Sequence, residues 1–335
     1  MSRKIRRRAV LFGLSLLLPS LGTLTSCNRQ PQASASGKAP EKVTIAYQPG
    51  LGYASLVILK QQKTLEKQFP NTKIEWRVLA SGSAIRDGVL ANQIQVGAMG
   101  IAPFLLGWDR GIGWKLLASL NQQDLWLVTK DPNIKSLKDF KPGMKIGLPA
   151  PDSIQAVTLR KGAQKELGNP QALDQNLLAI AHPLGFQALE SGQISGHLGQ
   201  PPFEFQEVEN GGRVILKSSE LFGGLHSGGS LLVTEKFYNQ YPEFSQALSH
   251  AVTDAIKLLS DKPDEAAKLL AADSDGKMTA QEAQKWITHE GIKFSDVPKG
   301  YLQYATFMKE TNLLSKQPQS IDELVFPTLK GKGGD

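Results

Sequence analysis

Short strand-like runs alternate with helix-like runs along this chain, and the whole plan occurs twice. Val43-Thr44-Ile45-Ala46-Tyr47 alternates as a strand and meets the turn Gln48-Pro49-Gly50. Residues 53–68 read as a helix closed by Pro70. Ile74, Trp76 and Val78 alternate as a second strand. Ser81-Gly82-Ser83 then opens a helix carrying Ile85, Val89 and Leu90. Residues 94–99 form a third strand, and Pro103 suits the first turn of the next helix. Parallel neighbours in a sheet need a crossover, usually a helix, so this order implies a mainly parallel sheet with helices on both faces.

The second region repeats the plan. Strands are expected at 144–148, 176–180 and 194–198, and helices at 153–167 and 184–190. A shift of 99 residues matches Leu90 with Leu189, Gly97 with Gly196, Gly100 with Gly199, Pro103 with Pro202 and Phe104 with Phe203. The matches fall at corresponding strand-to-helix turns, which favours two lobes of similar topology. The last third is helical. Phe244, Ala247, Leu248, Ala251, Val252, Ala255, Ile256 and Leu259 keep one face over four turns. Thr279-Ala280-Gln281-Glu282 has the form of a capping box.

Charge is concentrated at the start. Arg3, Lys4 and Arg6-Arg7-Arg8 precede an apolar run over 9–18, and Leu24-Thr25-Ser26-Cys27 follows. A basic stretch, a short apolar stretch and small residues form an export signal. The run is shorter than the roughly 20 apolar residues that a membrane span takes. Leu-Thr-Ser-Cys resembles the bacterial lipobox, in which the Cys is lipidated, and Cys27 is the single cysteine, so no disulfide can form. Arg7-Arg8-Ala9-Val10-Leu11 also resembles a twin-arginine signal, leaving the export route open. Beyond residue 26 the formal charge of +7 shrinks to 33 basic against 31 acidic residues. Such a balance offers no basic face for nucleic acid. Residues 27–41 are polar and small, the composition of a tether with a reach of roughly 20 Å. The remaining length exceeds one compact core, which again implies two lobes.

With these elements in place, the chain resembles the solute-binding lipoproteins of ABC importers in the nitrate/sulfonate/taurine group, which also includes thiamine-pyrimidine-synthase-like proteins. The resemblance spans about 42–328. It rests on Ser81-Gly82-Ser83-Ala84, residues 90–104, 134–141 and 199–206, and Lys262-Pro263-Asp264-Glu265-Ala266-Ala267. It implies an α/β protein with the type II periplasmic-binding fold: two α/β lobes with a hinge of two crossing strands. On that reading 1–26 is the signal peptide and 27–41 the tether. Residues 42–128 and 229–335 build lobe 1, 129–228 build lobe 2, and the hinge strands are 124–128 and 230–233.

In open α/β sheets ligands bind beyond the carboxyl ends of the strands, at helix N-termini, where unpaired N–H groups and the helix dipole favour an anion or polar oxygen. Five turns qualify, each also readable as an ordinary helix cap. They place Tyr47 and Gln48; Ser81, Gly82 and Ser83; Gly100, Ile101 and Ala102; Ser153 and Gln155; and Gln200, Pro202 and Phe203 at the cleft. His226 and Ser227 are expected to close it from the second hinge segment. Tyr47 and Phe203 are placed to wall it, and Arg86 is read as an anion partner or a solvated side chain.

Other chemistry has no foothold. The five histidines show no metal spacing, and no nucleophile elbow or phosphate loop occurs. Asp273-Ser274-Asp275-Gly276 mimics part of a calcium loop, but the first ligand position would be Ala271. No catalytic residue, metal or cofactor is expected. The expected function is the capture of a small anionic or polar solute and its delivery to the permease subunits of an ABC importer. The protein would be a monomer, exported and lipid-anchored to a bacterial membrane through Cys27. A carrier of thiamine-precursor pyrimidines or similar heterocycles, an enzyme on the same fold, and a receptor-docking sensor are the alternatives. Cys27→Ala should leave the protein exported but released from the membrane, as fractionation would show; retention equal to wild type would refute the anchor.

Overall fold

The computed structural model describes residues 39–333. The expected signal peptide, most of the expected tether and Cys27 lie outside the described residues. The first strands are β1 (Lys42–Tyr47), β2 (Lys73–Val78), β3 (Val96–Met99), β4 (Trp114–Ser119) and β5 (Gln122–Gln123). There follow β6 (Trp126–Thr129), β7 (Ile146–Leu148), β8 (Leu177–Ala179), β9 (Gly196–Leu198), β10 (Arg213–Lys217), β11 (His226–Ser227), β12 (Ser230–Thr234) and β13 (Ile292–Lys293).

Two five-stranded sheets carry the same connectivity. The first runs β2-β1-β3-β12-β4 and the second β8-β7-β9-β6-β10. In each, three parallel strands are joined by an antiparallel fourth, β12 or β6, that the chain supplies from the far side of a crossing. Ala46 pairs with Gly97 in one sheet and Ile146 with Gly196 in the other, so the repeat at a shift of 99 is a structural one. The helix starts differ, however. Gly100 caps the helix Ile101–Asp109, whereas Pro202, two residues past the matching glycine's neighbour Gln200, caps Phe203–Glu209.

The expected hinge strands are displaced. Their apolar parts, β6 and β12, are interior strands of opposite sheets. The chain crosses between the sheets at β5 and β11, which pair antiparallel through Gln122 with Ser227 and Gln123 with His226. β13 pairs on the other edge of β5. These segments are polar and two residues long, so an apolar pattern cannot reveal them. The helix expected over 53–68 is also broken. Lys63 adopts a left-handed conformation (φ 51°) between Ala54–Gln62 and Thr64–Gln68, and the break turns Leu65 fully inward.

In the helix Pro242–Asp261 the eight expected apolar residues are all buried. That face packs against Ala54–Gln62 and, with Pro263–Asp273, forms the outer layer of the first lobe. The calcium-like run is a helix–helix turn: Ser274 Oγ donates to Ala271 O at 2.8 Å, and Glu282 completes the capping box with Thr279. Leu248 is fully buried in this layer. Leu248→Ala should lower unfolding free energy by about 2–5 kcal/mol, since a cavity replaces the lost contacts; urea titration would measure it.

Candidate functional site

Three helices of ordinary length point their N-termini at one place. Gly82–Leu90 and Ile101–Asp109 follow β2 and β3 in the first lobe, and Ile154–Leu167 follows β7 in the second. Ser81 and Ser153 cap their helices by accepting from the N–H groups of Ala84 and Ala156, both at 3.2 Å. Gly100 has no side chain to cap with. Strand pairing reaches Met99, beside Gly100, and ends at Val78 and Leu148 a few residues before Ser81 and Ser153, and the missing Cβ at Gly100 lets the lobes approach. A methyl there would stand 3.0 Å from Ile154 Cγ2.

Between these termini lies a small cavity of about 10 Å³, room for about one water molecule. Its polar lining is uncharged: Gln48, Tyr53, Ser153, Gln155 and Gln200. At Gln48 it adjoins a larger groove of about 630 Å³ that both lobes and the turn after Asp273 enclose. Tyr47, Leu51, Val78, Phe186, Phe203 and Met278 give that groove an apolar wall.

The lobes touch on two sides of the cavity. On one, Arg86 Nη1 donates to Asp152 Oδ2 at 2.8 Å, and the Ser83 hydroxyl donates to Asp152 Oδ1. On the other, Leu51 N donates to Pro201 O at 2.8 Å and Gln200 Nε2 to Pro49 O at 2.5 Å. Burial alone would raise the Asp152 carboxyl, but Ser83 and Arg86 together hold it below the ordinary 3.8. Arg86 is therefore neither solvated nor facing the cavity; it is 6% exposed and bound across the lobes.

The fifteen residues expected at the site separate into groups. Gln48, Gly82, Gly100, Ser153, Gln155 and Gln200 line the cavity. Tyr47, Pro202 and Phe203 line the groove, with Gln48 shared. Ser81 stands behind as a cap, and Ser83 serves the lobe contact. Ile101 and Ala102 are fully buried and line neither the cavity nor the groove. His226 and Ser227 belong to the hinge. Ser227 Oγ is 2.9 Å from Ser119 Oγ, and His226 Nε2 is 2.8 Å from Ser218 Oγ. Burial lowers the His226 pKa to about 4, so it is a neutral hinge residue near pH 7. Tyr53 and Pro103 also line the cavity and went unrecognised, because both lie inside helices where the sequence pattern reads as core. Asp152 had no signal for its role, since its partner Arg86 is 66 residues away.

The Asp152 carboxyl is lowered, so the contact's contribution is complete above the ordinary value of 3.8 and is lost as pH falls through the lower bound value. Small-angle scattering without added ligand should therefore match at pH 8 and pH 5. Asp152→Asn should remove the ion pair of Arg86 across the lobes, leaving it only Asp87 on its own helix at 3.4 Å, and expand the protein at both pH values.

The model of the NMT1-like family matches residues 36–273. A putative aliphatic sulfonates-binding protein of Escherichia coli (strain K12) is 22% identical over 242 residues, covering 71% of this chain and 73% of the relative. The alkanesulfonate-binding protein SsuA of Xanthomonas axonopodis pv. citri, bound to MOPS, superposes with a TM-score of 0.69 at 20% identity, covering 86% of this chain and 99% of that one. The periplasmic nitrate-binding protein NrtA of Synechocystis PCC 6803 superposes with a TM-score of 0.69 at 15% identity, covering 87% of each chain. These likenesses fix the fold as that of the periplasmic binding proteins, and with the family match over most of its length the chain belongs to the NMT1-like family.

Proposed function

We propose that this chain is the solute-capturing subunit of an ABC importer for a small anion of the sulfonate class. The observation that carries the reading is the convergence of three helix N-termini, from both lobes, on a cavity whose side chains are uncharged. Backbone N–H groups and helix dipoles stabilise an anion there without a competing cation, and a ligand touching both lobes favours their closure. The sulfonate and nitrate proteins similar to this chain support the same class. At about 10 Å³ the cavity is too small for such a ligand, so entry requires the lobes to part at the Asp152 contact and at the contacts of Leu51 with Pro201 and Gln200 with Pro49. Such a protein captures and releases its solute unchanged. Export, a lipid anchor on Cys27, a monomeric state and delivery to a permease complete the proposal.

The apolar groove with Tyr47, Phe186 and Phe203 supports a second reading, a carrier for a flat heterocycle such as a pyrimidine. Calorimetry with ethanesulfonate, nitrate and an aminopyrimidine separates the two. Sulfonate binding with lobe compaction supports the first, and aminopyrimidine binding alone supports the second.

Gly100 is the residue that tests the geometry. A Cβ at Gly82 would stand 2.6 Å from Pro103 Cγ and disturb the first lobe itself. The nearest atoms to a Cβ at Gly100 belong to Ile154 and Gly228, with Ile154 Cγ2 at 3.0 Å across the cleft and Gly228 O at 3.3 Å by the hinge. Gly100→Ala should fold normally and weaken ethanesulfonate at least about tenfold, the loss of one hydrogen bond to a charged group. Wild-type affinity in Gly100→Ala would refute anion binding at these helix ends.

A further inference from the structure

One cavity residue is held by a buried polar chain that anion binding does not require. Gln155 Nε2 donates to Gly199 O at 3.3 Å and lies 3.3 Å from His182 Nε2. His182 Nδ1 lies 3.5 Å from His197 Nε2, at the long limit of a hydrogen bond, and His197 Nδ1 lies 2.5 Å from Glu207 Oε1. The four side chains are buried, at 3%, 1%, 0% and 0% exposed. His197 sits in a slot made by glycines. A Cβ on Gly185 would stand 2.5 Å from its Nε2, and one on Gly199 would stand 3.3 Å from its Cε1.

The chain has one direction. A backbone carbonyl only accepts, so the amide nitrogen of Gln155 must face Gly199 O. Its other hydrogen then meets His182 Nε2, which must accept and therefore carries its proton on Nδ1. That proton faces His197 Nε2, and the His197 Nδ1 proton faces the Glu207 carboxylate. Every donor in the chain is taken by another buried group of the second lobe. Both amide hydrogens of Gln155 are committed inside the second lobe, and its carbonyl oxygen is the part left for a ligand. All members lie between 155 and 207, so the orientation survives parting of the lobes.

We propose that Gln155, positioned by His182, His197 and Glu207, offers the cleft an acceptor and selects ligands that carry an N–H or O–H donor beside their anionic group. This rests on the anion-binding reading and adds to it. A bare anion satisfies the helix ends but leaves Gln155 Oε1 dehydrated and unpaired, and such an omission is costly. A hydroxyl or ammonium a few atoms from the anionic head supplies the missing donor.

The test compares ethanesulfonate, hydroxyethanesulfonate and aminoethanesulfonate by calorimetry on the exported chain, with an aminopyrimidine as a donor without an anion. Hydroxyethanesulfonate and aminoethanesulfonate should bind at least about tenfold tighter than ethanesulfonate, one hydrogen bond in a buried site. Gln155→Met should collapse that ratio to near one. His182→Phe, which touches no ligand, should reduce the ratio by freeing the amide to turn. If His182→Phe does not fold, Gln155→Met carries the test. Ethanesulfonate binding as tightly as its hydroxy counterpart, or a ratio unchanged in Gln155→Met, overturns the proposal and leaves the sulfonate reading standing. If only the aminopyrimidine binds, and weakens in Gln155→Met, the anion reading falls and the donor requirement stands. If nothing binds, both fall.

Discussion

The pairing of two short segments, β5 with β11, is the constraint on which the rest of the molecule depends. Each sheet borrows its antiparallel strand from across this crossing, so neither lobe is complete without the other's chain. A crossing buried between two lobes must satisfy its polar groups internally. Asp124 does much of this: it accepts from Ser218 Oγ, Ser219 N, Ser219 Oγ and Trp126 Nε1, at 2.7–3.0 Å. Asn121 adds a bond to Gly229 N at 2.9 Å. The hinge is thus a small polar core, not an apolar one, and polar groups have directions that an apolar contact lacks.

The architecture was legible because burial imposes period. Strand alternation, the helix stripe from Phe244 to Leu259 and the repeat at a shift of 99 all report which face meets the core. What stayed hidden was the hinge and the lobe contact. Gln122-Gln123 and His226-Ser227 carry no hydrophobic period, and Arg86 meets Asp152 only because two lobes face each other. At the site, the turns were legible, since helix N-termini are marked by Ser and Gly. Which residue of each turn points inward was not. Gly100 faces the cavity while Ile101 and Ala102 do not, a consequence of helix phase set by the preceding strand.

Electrostatically the second lobe divides its labour. The cavity wall is neutral, whereas the titratable groups Glu204, Glu207, His182 and His197 are withdrawn behind it. Burial raises Glu204 well above the usual carboxylate range and raises Glu207, and burial next to His197 keeps His182 well below the ordinary imidazole value. The cavity wall itself therefore carries no titratable side chain but Tyr53, and its polar groups are hydroxyls, amides and helix ends.

A third contact between the lobes has mechanical consequences. Phe205, on the short helix Phe203–Glu209, lies face to face with His289 at a centroid distance of 3.8 Å and also touches Trp286. Interdigitated aliphatic side chains resist sliding, because each knob must climb out of its hole. Two flat rings can slip past each other while keeping most of their contact. Such a stack bears load normal to the rings while permitting shear along them. A relative motion of the lobes that slid one ring over the other would keep the contact, and a bulky aliphatic residue in place of His289 would oppose it.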